Sequence, residues 1–195
     1  MRVFIGLDID DPIRDRITRF MAGVSELAPE ARWVRPESLH VTLKFIGERQ
    51  DETVDLIRRV LTSIAAAPFE IAFRGYGFFP TAKAARVFWV GIESGPQLTA
   101  LAKAVDDATF TVGIPREDHA FSPHLTLARA GGRSGSPRWR NGDKASRNFQ
   151  RLQEKLTALP APEFGTMSAR EFFLYQSQVS PAGSRYTKIA QVALR

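Results

Sequence analysis

Two histidines stand in the same four-residue frame, and this repetition is the strongest chemical signal in the chain. His40-Val41-Thr42-Leu43 lies in the run SLHVTLKFIGE, and His124-Leu125-Thr126-Leu127 lies in FSPHLTLAR. The 195 residues contain three histidines, so two of the three fall into one pattern. Both copies alternate polar and apolar residues, as a strand does with one face in a core and the other open. Residues i and i+2 of a strand share a face about 7 Å apart. Each histidine therefore shares its face with a threonine, while Val41, Leu43, Leu125 and Leu127 turn toward the core. Strands placed side by side would offer two imidazoles and two hydroxyls to one cleft.

That set of groups suits a phosphate ester. Hydrolysis of a phosphodiester needs a base for the attacking water and an acid for the departing oxygen. Imidazole has an unperturbed pKa of about 6.5, so near neutral pH one ring can be neutral while the other is protonated. Threonine hydroxyls can donate to non-bridging phosphate oxygens and stabilise charge that develops there. A lone histidine on an apolar strand is more often a core residue. Its repetition moves the weight to chemistry.

Residues near the boxes extend the candidate site. Lys44 shares the face of Thr42 if the alternation continues, and there it either attracts phosphate at the cleft edge or is simply solvated. Arg129 ends the second box out of phase with His124 and Thr126, so that it needs a bulge or strand end to reach the phosphate, for which its forked donors are suited. Tyr186 can stack on a base or join the core, whereas Phe121 reads as core. His119, with Glu117 and Asp118, matches no metal-ligand spacing and reads as a solvated loop residue. No metal or other cofactor is expected, because two imidazoles can carry the acid-base work.

The elements that must position these groups can be read from periodicity. RVFIGLDI reads as a strand, and Asp10-Asp11-Pro12 starts a helix with Ile13, Ile17, Phe20 and Met21 on its buried face. Pro36 begins a turn into the first box strand, which runs through Phe45 to Gly47. Residues 52–64 form an amphipathic helix, 69–79 and 86–93 paired strands, and 98–112 a third helix. The second box strand spans 125–129. A helix at 147–156 and strands at 168–177 and 186–193 complete the chain. Each box lies in one strand-helix-strand unit, and no linker separates the two. The expected fold is α+β: one bilobal domain over 1–195 with two pseudo-symmetric lobes, each an antiparallel sheet backed by helices. The boxes should lie on facing central strands of a cleft between the lobes. Residues 130–146, rich in Gly, Ser, Arg and Pro, read as a loop in which Arg138-Trp139-Arg140 is either an element that stacks and grips phosphate or a solvated stretch with Trp139 tucked onto the surface.

Composition narrows the class. The chain has no cysteine, which excludes disulfides, thiolate nucleophiles and cysteine-based zinc sites. The N-terminal apolar run is interrupted by Asp8, Asp10 and Asp11, and no run is long enough to span a bilayer. A cytoplasmic monomer is expected. A formal charge of +6 and a pI near 10.1 favour an anionic partner.

The chain also resembles the 2H phosphoesterases, and among them the RNA 2′,3′-cyclic phosphodiesterases once called 2′-5′ RNA ligases. The resemblance runs from RVFIGLDID through WVRPESLHVTLKFIGE, YGFFPTAKAARVFWVGIE and FSPHLTLAR to LYQSQVSPAGSRYTKIAQVAL. It implies a metal-independent enzyme that opens RNA 2′,3′-cyclic phosphate ends to 2′-phosphomonoesters. It further implies that His40 is the proton donor to the leaving oxygen and His124 the proton acceptor from water, with Thr42 and Thr126 binding the phosphate. The same site could accept 2′-5′-linked oligonucleotides. A non-catalytic RNA-binding module is the reading from another class, and the intact His and Thr of both boxes weigh against it.

Overall fold

The computed structural model describes residues 1–131, 149–180 and 183–195. In chain order the elements are β1 (Arg2–Leu7), α1 (Asp11–Val24), β2 (Arg32–Trp33), β3 (Val41–Glu48), α2 (Asp51–Leu61), β4 (Phe69–Phe79), β5 (Val87–Ser94), α3 (Pro96–Phe110), β6 (His124–Arg129), α4 (Gln150–Thr157), β7 (Glu163–Ala169), β8 (Glu171–Ser180) and β9 (Gly183–Ala193). They form two antiparallel sheets, β3-β1-β8-β9 and β2-β6-β5-β4-β7. The α+β class with two helix-backed antiparallel sheets is thus observed.

Local sequence explains most of the elements. Asp10 is the extended N-cap of α1 and Pro12 occupies its first turn, where a missing N–H costs nothing. Ile13, Ile17, Met21 and Val24 fall on one stripe and are buried. In α2 the buried stripe is Val54, Ile57 and Leu61, and in α3 it is Leu98, Leu101, Ala102 and Val105. Helices α2 and α3 pack together with α3 on β3, while α1 lies against β7. One cluster of buried apolar side chains continues from Val3 and Ile5 through Phe73 and Phe88 to Leu194.

The connectivity differs from two consecutive halves. The first sheet is completed by β8 and β9 from the C-terminus, and the second by β2 from the N-terminal third. The first box strand, β3, lies at a sheet edge, and β6 is flanked on one side only by the two-residue β2. Both boxes thus sit toward sheet margins instead of at sheet centres. The expected strand at 168–177 is two strands broken at Arg170, of which β7 joins the second sheet and β8 the first. Gly165, at φ +111°, and few large apolar residues weaken the strand signal of β7. The expected helix at 147–156 is observed as Gln150–Thr157. Arg138-Trp139-Arg140, and all of the 130–146 loop after Gly131, lie outside the described residues.

Candidate active site

Each box contains a β-bulge at the same place. Between β1 and β3, Ile5 pairs with Lys44 and Gly6 with Thr42, so Leu43 is the extra residue. Between β5 and β6, Phe88 pairs with Ala128 and Trp89 with Thr126, so Leu127 is the extra residue. A bulge places two successive residues on one side and reverses the alternation beyond it. Leu43 and Lys44 are accordingly both buried, and so are Leu127 and Ala128.

The reversal sorts the residues flagged in the sequence. Lys44 does not share the face of Thr42, as simple alternation required. It is 3% exposed on the helix-covered face, where its Nζ meets Asp106 Oδ1 at 2.5 Å and the Pro115 carbonyl at 2.8 Å. Arg129, out of phase in the bare sequence, is returned to the face of His124 and Thr126. The position after the first bulge that corresponds to Arg129 is held by Phe45, an exposed ring under the Arg2 guanidinium.

The two histidines are oriented alike. His40 Nδ1 donates to the Ser38 carbonyl and His124 Nδ1 donates to the Ser122 carbonyl, each at 2.7 Å. This bond fixes the proton on Nδ1 of the neutral ring and leaves Nε2 as the atom that can exchange one. His40 Nε2 lies 3.0 Å from Thr42 Oγ1, which places the two box groups at one point. Ser38 and Ser122 were not singled out in the sequence, although a serine stands two places before the histidine in both copies. Their contribution is a backbone carbonyl, which no side-chain pattern advertises.

Aromatic rings wall each histidine. His40 packs 4.7 Å from Phe4 and 5.2 Å from Tyr186, with Tyr175 behind at 6.1 Å. His124 meets the edge of Phe79 at 4.9 Å, and Trp89 lies at 6.3 Å. Gly6 allows β1 to pass beside His40, because a Cβ there would lie 2.7 Å from the Val41 carbonyl oxygen and 3.5 Å from the imidazole. A cavity of about 330 Å³ opens beside His40, lined among others by Asp8, Ser38, Tyr175, Tyr186 and Lys188. Asp8 bridges Arg14 and Lys188, each at 2.5 Å. Burial would raise its pKa, but the Lys188 ammonium and the Ile9 N–H hold it below the usual carboxylate range.

Electrostatics join the two halves. Removal from water, with the charges of Arg129 and His124 adding to it, lowers the His40 pKa to about 4 against the opposing Ser38 bond and Asp8 carboxylate. The His124 pKa is lowered by the same removal from water and by Arg129. The Arg129 guanidinium is itself pushed down by desolvation, with Tyr186 opposing and Arg32 adding to the effect. His40, His124, Arg129 and Tyr186 thus face one region from both sheets. Phe121 packs half-buried against the core, and His119 is exposed. Among the described residues no three His, Cys, Asp or Glu side chains gather as a metal site would require, and no helix is long and apolar enough to cross a membrane.

The two His-x-Thr boxes thus come from two antiparallel sheets and lie within electrostatic reach of each other. The LigT-like phosphoesterase model matches residues 7–89. A protein of Methanothermobacter thermautotrophicus named RNA 2′,3′-cyclic phosphodiesterase is 32% identical, over 96% of this chain and 95% of its own. An Archaeoglobus fulgidus protein of the same name is also 32% identical, over 95% of this chain and 96% of its own. The crystal structure of Escherichia coli LigT complexed with 3′-AMP shares the fold at TM-score 0.76, with 24% identity over 99% of this chain and 97% of that one. The chain belongs to the LigT-like phosphoesterase family.

Proposed function

We propose that this protein hydrolyses the 2′,3′-cyclic phosphate end of RNA to a 2′-phosphomonoester, with His40 as general acid and His124 as general base. The observation that carries the reading is the twinned anchor, Nδ1 of each ring bonded to the carbonyl two residues earlier, which leaves both Nε2 atoms for proton transfer. The names of the two archaeal relatives support the substrate. The basic charge and the aromatic walls are consistent with a nucleotide end.

In this scheme His124 Nε2 takes a proton from water as the water oxygen attacks phosphorus. The bond from phosphorus to the 3′-oxygen breaks, and His40 Nε2–H delivers its proton to that oxygen. The products are a 2′-phosphate and a 3′-hydroxyl. Thr42, Thr126 and Arg129 donate to the non-bridging oxygens, where charge grows in the transition state. Tyr186, beside His40 and near Arg129, closes the cleft over the terminal nucleotide. Lys44 holds β3 from behind through Asp106 and has no part in the cleft. No step calls for a metal ion.

Incubation with end-labelled oligonucleotides carrying either a cyclic phosphate or a 2′-5′ linkage tests the substrate. His40→Ala and His124→Ala should each lower turnover of the cyclic end at least about 100-fold while the protein stays folded. Near-wild-type turnover by either variant would sink the two-histidine mechanism.

A further inference from the structure

Strand β2 consists of Arg32 and Trp33, and Arg32 pairs directly with Arg129 across the β2–β6 ladder. Directly opposed residues of an antiparallel pair share a face, with Cα atoms about 4.5–5.5 Å apart. Because the Leu127 bulge turns Arg129 to the face of His124 and Thr126, it brings Arg32 to that face as well. Two like charges in this position work against the sheet. Arg32 indeed helps to push the Arg129 guanidinium below its usual range. Among the described residues neither of the two forms an ion pair with a carboxylate.

What holds the pair together lies elsewhere. The Trp33 ring packs edge-on to Phe88 at 5.9 Å, and its Nε1 donates to the Ala28 carbonyl at 3.1 Å. The Val34 N–H donates to the Leu127 carbonyl at 2.8 Å, on the bulge residue itself. Apolar packing and backbone bonds thus enforce a repulsive juxtaposition on an open face beside the site. An anion relieves that repulsion, and two forked guanidiniums can hold more than one phosphate.

We infer that Arg32 and Arg129 form a two-phosphate grip: Arg129 takes the reacting cyclic phosphate, and Arg32 takes the neighbouring phosphodiester of the same RNA chain. This rests on the function proposed above and adds to it a preference for RNA ends over isolated nucleotides. Arg32 contributes to binding of the chain and not to bond breaking.

The test compares wild type, Arg32→Gln and Arg32→Lys on a nucleoside 2′,3′-cyclic phosphate, which has one phosphate, and on a dinucleotide with the same end, which has two. Arg32→Gln should raise KM for the dinucleotide about 10-fold with kcat unchanged, the loss of one charge-assisted contact. It should leave the mononucleoside within about twofold. Arg32→Lys should recover part of the loss. The slope of log(kcat/KM) against log salt for the dinucleotide should flatten by about 0.7, one single-strand phosphate contact. Equal loss on both substrates, or none on either, overturns the grip. If wild type turns over neither substrate, the reaction reading fails and the grip is decided by calorimetric Kd values for a dinucleotide 2′-phosphate and a nucleoside 2′-phosphate. A weakening by Arg32→Gln confined to the two-phosphate ligand upholds it, and equal Kd values for the two proteins overturn it.

Discussion

Leu43 and Leu127 are structural counterparts: each is the extra residue of a bulge just after the threonine of its box. The paired bulges decide which neighbours of the histidines reach the cleft. Beyond Leu43 the lysine turns inward to Asp106, and beyond Leu127 the arginine turns outward to the histidines. The first position after each bulge, Lys44 or Ala128, is buried and the second, Phe45 or Arg129, is turned outward, so the place of each cation in its phrase decides its face.

Lys44→Met should damage stability and spare substrate binding. It leaves Asp106 largely buried with one remaining ion pair, to Arg116 at 3.3 Å. Because Arg116 and the Glu117 N–H still compensate Asp106, the loss of this charge-assisted bond should cost about 1.5–3 kcal/mol. Chemical denaturation should show that loss, with KM for a nucleoside cyclic phosphate within about twofold of wild type. A KM rise without a stability loss would place Lys44 in the cleft.

Arg129→Gln should do the reverse. Its guanidinium sits on the histidine face and influences both rings, so kcat/KM should fall about 100-fold even for a mononucleoside substrate. The melting temperature should hold or rise, because the repulsion by Arg32 is relieved. Unchanged kinetics would remove Arg129 from the site.

The dependence on pH should be bell-shaped and acidic. Active free enzyme needs one imidazole protonated and the other neutral, and both pKa values are depressed, that of His40 to about 4. The kcat/KM maximum should therefore fall below about 6.5, with apparent values that belong to the pair. Bound phosphate favours imidazolium, so the kcat profile should shift toward higher pH. Stability has a definite sign too. The unfolded chain binds more protons than the folded one between about pH 6.5 and 4, so the contribution of neutral His40 is lost as pH falls through that window. His40→Asn should flatten this part of the stability curve, which acid titration of unfolding would measure.

Gly6→Ala should reduce turnover although residue 6 bears no chemistry. Its Cβ would collide with the Val41 carbonyl between the box histidine and threonine, and would touch His40. A displacement of the ring by a fraction of an ångström should cost about 10-fold or more in kcat, with a smaller change in KM. Wild-type kcat would mean that β1 and β3 can separate freely there.

Exhaustive treatment with EDTA should leave activity intact, since the two imidazoles account for both proton transfers. Activity that was lost and then restored by zinc or manganese would require ligands, and His119 with Glu117 and Asp118 would be the first to examine.

The histidines, the threonines and the strand character of both boxes were legible in the bare sequence, because a strand repeats every two residues and two copies of one phrase are hard to mistake for core. The helices were legible from their buried stripes, since 3.6-residue periodicity is a local property. The fate of Lys44 and Arg129 was not. It turns on one extra residue in each ladder, and a bulge exists only relative to the partner strand, β1 for one box and β5 for the other. Strand β2 escaped notice because two residues carry no periodicity, and Arg32 faces the site only through its register with β6. The carbonyls of Ser38 and Ser122 carry no side-chain signature, so the geometry of the chain itself had to reveal them. Local patterning determined which groups could do chemistry, and long-range pairing decided which of them meet.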